Sequence, residues 1–150
     1  MQENGNIYGR LSNPTTAALE QKIAALDNAV GSCCVSSGHA AQLIALYPLL
    51  SPGKKIVASS KLYGGSITQF TKSFKSFGWE TDLVDITNYD EIKQAIKAKN
   101  VRALFAESLS NPEGVVSDIE KLSELAHNEG IPLLIDLSLI HISEPTRHLL

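Results

Sequence analysis

Leu19, Ile23 and Leu26 recur at a spacing of three to four, which predicts an amphipathic helix opening at Pro14 and ending near Asp27. Asn13 can cap it, and Pro14 suits a first helical position because its missing N–H would have no partner there anyway. A short apolar run over 31–36 then reads as a strand, Gly38 punctuates it, and 40–46 has the composition of a helix. The same alternation repeats downstream. Residues 55–59 read as a strand, Gly64 and Gly65 as a turn, 68–77 as an amphipathic helix and 81–85 as a strand. Asn88 with Glu91 three residues on resembles a capping arrangement for a helix over 89–98, and Ser117 with Glu120 forms a capping box for one over 119–129. Between them, 101–106 is a strand. Gly130 and Pro132 close the last helix, and Leu133, Leu134 and Ile135 make a continuous apolar run, as in strands covered on both faces. Strand and helix alternating at this spacing imply an α/β fold, a mostly parallel sheet flanked by helices with right-handed crossovers.

Residues 137–150 break the pattern. They have no clean period, place Pro145 beside Glu144, and over 138–147 resemble translated sequencing-adapter read-through, so they are expected to be a non-native tail. On that reading the authentic domain runs over 1–136. At 150 residues the chain is long enough to bury a core without disulfide or metal support. Its 43% hydrophobic and 19% charged residues, with mean hydropathy −0.01, exclude a disordered tail, a collagen-like chain and a membrane bundle. Thirteen Lys+Arg against sixteen Asp+Glu give a net charge of −3 with no basic block, so neither nucleic acid nor an anionic membrane has an electrostatic footprint. Cys33 and Cys34 are adjacent and without a third cysteine, which fits a reducing compartment, and the polar start lacks a signal peptide; the cytoplasm is the expected location.

In an open α/β sheet, ligands bind beyond the carboxyl ends of the strands. Ser36, Ser37, Gly38 and His39 occupy such a position ahead of a helix, where backbone N–H groups and the helix dipole can receive an anion; an ordinary glycine turn is the alternative. Glu107 and Asp136 each follow an apolar strand and are expected at the same sheet edge, either paired structurally or in a functional site. Tyr63 precedes two glycines, Asn111-Pro112 is a turn signal, and Tyr8 and Arg10 lie in a polar segment with no core of its own to support. His39 and His127 have no partner at metal-ligand spacing, so no metal site is expected.

Taken together, Tyr8-Gly9-Arg10 with Asn13-Pro14-Thr15, Ser36-Ser37-Gly38 with Ala40-Ala41, Leu62-Tyr63-Gly64-Gly65, Glu107-Ser108 with Asn111-Pro112, and Ile135-Asp136 resemble, in order and spacing, one known family. The chain is similar to the pyridoxal-phosphate-dependent enzymes of cysteine and methionine metabolism, the trans-sulfuration enzymes. The resemblance implies part of the large cofactor-binding domain of the aminotransferase-like, type I fold, with pyridoxal 5'-phosphate as cofactor. It assigns the cofactor phosphate to Gly38 and His39, with Ser37 beside them, and the face of the pyridine ring to Tyr63. The ring nitrogen falls to Asp136, which keeps it protonated, and the ring hydroxyl to Asn111; Glu107 supports them. Tyr8 and Arg10 match residues that reach a neighbouring subunit's phosphate, implying a homodimer or homotetramer.

Within the family, residues 4–8 and 105–112 look most like the O-acetylhomoserine sulfhydrylases, which replace acetate with sulfide or a thiol to give homocysteine or methionine. Cystathionine synthases, cystathionine lyases and methionine lyase share most of these residues. Where relatives carry Asn-Thr after the aspartate, this chain has Leu137-Ser138. The family's Schiff-base lysine lies farther along, whereas every lysine here, from Lys22 to Lys121, precedes Asp136. The chain is therefore expected to be a fragment that does not turn over by itself. A nucleotide-binding module of similar layout would need a Gly-x-Gly-x-x-Gly fingerprint, which is missing. A non-catalytic oligomerisation or binding fragment is the remaining alternative.

Overall fold

The computed structural model describes residues 8–9 and 12–138, so Arg10 and all but the first two residues of the 137–150 tail lie outside the described residues. The chain forms two compact units, Met1–Ala41 and Gln42–Leu150.

In the first unit, α1 spans Pro14–Leu26 with the expected start: Asn13 Oδ1 accepts from the Thr15 and Thr16 amides at 2.9 and 3.3 Å. None of its residues is buried. The strand expected over 31–36 does not form among the described residues. A ladder needs a neighbouring strand, and here a side chain takes the backbone's place: Glu20 Oε1 accepts from the Cys34 amide at 2.8 Å, while the Glu20 carbonyl accepts from Ser32 Oγ at 2.6 Å. Apolar composition marked the segment as strand-like, but pairing depends on residues far away in sequence. Helix α2, Gly38–Leu46, starts two residues ahead of the expected span.

The second unit contains a four-stranded parallel sheet in the order β2-β1-β3-β4, built from β1 (Lys55–Ser59), β2 (Glu80–Val84), β3 (Val101–Glu107) and β4 (Leu133–Asp136). Helices α4 (Tyr89–Ile96) and α5 (Ile119–Asn128) cover one face, where Ile92, Ile96, Leu122 and Leu125 pack on Val57, Leu104 and Ala106. The opposite face carries Ile56, Ala58, Ala103 and Phe105 against Leu46, Phe70, Phe74 and Trp79. Each fully buried Val, Leu, Ile or Phe side chain among these contributes about 1.5–3 kcal/mol relative to leaving it exposed. Successive strand residues thus serve opposite layers, which is why these strands read as unbroken apolar runs.

The helix expected over 68–77 differs in start and form. It opens as α3, Gly64–Thr68, widens into a π turn over Gln69–Ser73 and tightens into a 3-10 turn over Phe74–Phe77. Gly64 and Gly65 therefore lie inside the helix instead of forming a turn. The change of winding accompanies an aromatic cluster: Phe70 stacks on Phe74 at 5.3 Å and meets Phe105 edge-on at 4.8 Å. Gly78 ends the run at φ +76°, where a side chain is strained, and a Cβ there would sit 3.1 Å from Pro52 Cβ, so glycine is strongly favoured. Asn88 caps α4 through the Glu91 amide as expected. Helix α5 is capped by Asp118, whose Oδ1 accepts from the Lys121 amide at 3.0 Å, instead of by Ser117. Ser117 is diverted inward, its hydroxyl donating to the Glu107 carbonyl at 2.7 Å.

Candidate functional site

The register of β3 and β4 sets Glu107 directly opposite Asp136, each as the last residue of its strand. The two carboxylates thus occupy the same sheet edge, as the sequence predicts. By alternation both fall in line with Phe105 and Leu134, on the face opposite α4 and α5. Glu107 is buried, 7% exposed, and its carboxylate is a staple: Oε1 accepts from the Tyr63 amide at 2.8 Å and Oε2 from the Asn111 amide at 3.1 Å. One side chain therefore fixes the backbone of two loops, one after β1 and one after β3, with both oxygens satisfied by charge-assisted bonds.

Around it the loop after β3 is tied down by its own serines. Ser108 N–H donates to the Asp136 carbonyl at 3.0 Å, Ser110 Oγ accepts from the Val115 amide at 2.9 Å, and Leu109 bridges Val116. The Asn111–Pro112 peptide bond in this loop is cis. Lys61, two residues ahead of Tyr63, pairs with Glu113, and that carboxylate's hydrogen bond raises the lysine's pKa above its ordinary value. Tyr63 itself is 52% exposed, so its anchored backbone holds up a side chain that still presents surface.

Asp136 is held at both oxygens. Its Oδ2 accepts from Gln42 Nε2 at 3.2 Å, and its Oδ1 accepts from the Ser138 amide at 2.9 Å and from the Ser138 hydroxyl. Gln42 also donates to Ser66 Oγ at 2.9 Å. Neither Gln42 nor Ser66 stood out in the sequence. A signal existed in the first case, since Gln42 is a polar residue within the otherwise apolar stretch 40–46 and is buried with the apolar positions of its helix. Ser66 carries no comparable mark.

The first unit contributes a separate arrangement. Ser37 caps α2, its Oγ accepting from the Ala40 amide at 3.2 Å and its carbonyl from the Ala41 amide at 3.0 Å. A Cβ on Gly38 would meet nothing within 4 Å, so the fold itself does not require glycine there, and the space above the first turn is open to a ligand approaching the backbone. His39 is exposed on that turn. Tyr8 is 53% exposed, with its carbonyl accepting from the Ser12 amide, and Arg10 lies outside the described residues. Among the described residues no group of three or more His, Cys, Asp or Glu is placed to hold a metal ion, and no helix is long and apolar enough to cross a membrane.

Comparison with known proteins agrees with this layout. The model of the family described as Cys/Met metabolism PLP-dependent enzyme matches residues 1–141. A sulfhydrylase of Gibberella moniliformis is 42% identical over 139 residues, 93% of this chain and 32% of its own length. The O-acetyl-L-homoserine sulfhydrylase of Leptospira meyeri is 38% identical over 99% of this chain and 34% of its own. Among solved structures, an O-acetylhomoserine (thiol)-lyase from Campylobacter jejuni, carrying pyridoxyl-lysine monophosphate, superposes with a TM-score of 0.85 at 40% identity, covering 91% of this chain and 34% of that one. The chain spans about a third of the length of these relatives. The match of nearly the whole chain leads to one assignment: this protein belongs to the pyridoxal-phosphate-dependent enzymes of cysteine and methionine metabolism.

Proposed function

We propose that this chain is the cofactor-holding part of a sulfhydrylase that converts O-acetylhomoserine and sulfide, or a thiol, into homocysteine, or methionine, and acetate. The observation that carries the reading is the Glu107 staple, which ties the backbone of Tyr63 to that of Asn111 from a strand end set opposite Asp136. The residues present suit pyridoxal phosphate. A carboxylate at the strand end can hold a protonated ring nitrogen, an exposed aromatic can cover the ring, and the glycine-opened first turn of α2 suits a phosphate. When bound, the cofactor supplies an electron sink for carbanion formation on the amino-acid substrate.

On this reading Asp136 keeps the ring nitrogen protonated, Tyr63 limits tilting of the ring, and Asn111 meets the ring hydroxyl. Glu107 acts through the other two by fixing their backbones. Ser37, Gly38 and His39 hold the phosphate, and Tyr8 and Arg10 reach the site of a second subunit in a homodimer or homotetramer, in the cytoplasm. The names of the sulfhydrylase relatives support the choice of reaction.

The deciding assay incubates the full-length protein bearing this chain with O-acetylhomoserine and sulfide and measures homocysteine and acetate in equal amounts. Release of a thiol from methionine, without that replacement, would move the assignment to a lyase. The 150-residue chain alone is expected to form no homocysteine, since none of its lysines matches the Schiff-base position. Glu107→Ala in the full-length protein removes the acceptor shared by two amides and should weaken pyridoxal phosphate binding about tenfold or more, read by fluorescence titration.

A further inference from the structure

Gln42 is a costly residue for its position. It is 7% exposed in a helix whose other buried residue is Leu46, and its Oε1 is buried with no hydrogen-bond partner. Burying an amide with an orphaned oxygen disfavours folding, so an apolar side chain of similar size would serve packing better. What the amide gains lies entirely at its nitrogen. Both Nε2 protons are used, one on Ser66 Oγ at 2.9 Å and one on Asp136 Oδ2 at 3.2 Å. Rotating the amide by half a turn would set Oε1 against the Asp136 carboxylate, oxygen to oxygen, so the orientation is fixed by charge.

Ser66 is 2% exposed and bonds to the same nitrogen. Because the two N–H bonds of a planar amide diverge at a fixed angle, holding one on Ser66 sets the direction of the other. The carboxylate of Asp136 then cannot turn about its last bond without breaking that contact. From the Ser66–Gln42–Asp136 chain of hydrogen bonds, we propose that Gln42 is a positioning residue, oriented by Ser66, that locks the Asp136 carboxylate in the rotation at which it receives the cofactor's ring nitrogen. Gln42 meets neither substrate nor ring on this account. Being neutral, it steadies the carboxylate without supplying a full countercharge that would compete with a cationic ring nitrogen for it. The inference rests on the role proposed above for Asp136.

The test uses the full-length protein loaded with pyridoxal phosphate labelled with ¹⁵N in the ring, comparing wild type, Gln42→Leu, Ser66→Ala and Asp136→Asn. Two quantities are read: cofactor affinity, and the ¹⁵N shift of the ring nitrogen as a function of pH. Gln42→Leu should weaken binding about tenfold and make the ring nitrogen lose its proton at lower pH than in wild type. Ser66→Ala should move both readouts in the same direction by less, and Asp136→Asn by more. If Asp136→Asn moves the ¹⁵N titration but Gln42→Leu and Ser66→Ala do not, Gln42 is a packing residue and the inference fails while the role of Asp136 stands. If Asp136→Asn also leaves the titration unmoved, both fail together. Should Gln42→Leu not fold, Ser66→Ala decides: an unchanged titration there overturns the positioning role.

Discussion

Helices α1 and α5 are built with similar local skill and end in different circumstances. Each has a side-chain cap at its N-terminus, Asn13 for one and Asp118 for the other, and each has apolar residues at helical spacing. Yet α5 buries Leu122, Leu125 and Ala126 against the sheet, while α1 buries nothing and leaves Leu19 at 50% and Leu26 at 67% exposed. Caps and periodicity decide that a helix forms and where it starts; what it rests on comes from residues distant in sequence. The second unit carries its own sheet and two apolar layers, whereas the described part of the first unit is held by its capped helix and by the bonds of Glu20 to Ser32 and Cys34.

The strongest way to break the comparison is to delete matched apolar side chains in the two units. Leu104→Ala, at a fully buried position between β1 and β4, should cost about 2–5 kcal/mol in denaturant unfolding, while Leu19→Ala should change stability by less than about 0.5 kcal/mol. An equal cost at the two sites would mean that α1 is as well supported as the sheet. A finer test removes the caps. Asn13→Ala and Asp118→Ala should each cost their helix about 1 kcal/mol, but amide hydrogen exchange should show the opening confined to the first turns of α1 and coupled to the core in α5.

Both caps serve helices that the sequence places well, and the placement of β1, with Glu107 and Asp136 at one sheet edge, was equally legible, because each rests on spacing or on an apolar run. What escaped was decided by partners. Residues 31–36 look like a strand but have no ladder among the described residues, and Ser117 looks like a cap but is drawn to the Glu107 carbonyl, leaving Asp118 to do the capping. The winding of 64–77 depends on how Phe70, Phe74 and Phe105 meet, which no local period encodes. Within the candidate site the carboxylates could be found by their position after strands, while the amide nitrogen of Gln42 acquires meaning only once Asp136 is beside it.

The smallest effect expected is a pH dependence at the far end of the sheet. Lys55, the first residue of β1, donates to Asp82 Oδ2 at 2.9 Å, and this hydrogen bond raises its pKa above the ordinary value in spite of the opposing effect of desolvation. A lysine raised on folding adds stability fully below its unfolded pKa of about 10.4 and loses it as pH rises through the higher folded value. The difference in stability between wild type and Lys55→Met should therefore be constant from pH 7 to 9 and shrink above pH ~10.5, at no more than about 1 kcal/mol for a pair this near the surface. A difference that grew with alkali would reverse the sign and remove the pair from the account.

The pairing of β3 with β4 has a consequence for how this protein could go wrong. Residues of β4 face alternate layers, so a slip of one position against β3 would exchange Ile135 for Asp136 on the face where Gln42 lies and send the carboxylate into the apolar layer beneath α4 and α5. Such a misfolded chain would keep its strands and helices, and far-ultraviolet dichroism would hardly distinguish it. The Gln42–Asp136 contact, however, would be gone, because alternation admits only two settings. On the role proposed for Asp136, cofactor uptake would thus report on strand register as a switch reports a position, giving a sorter of correctly and incorrectly threaded molecules where bulk measures of secondary structure see a single population.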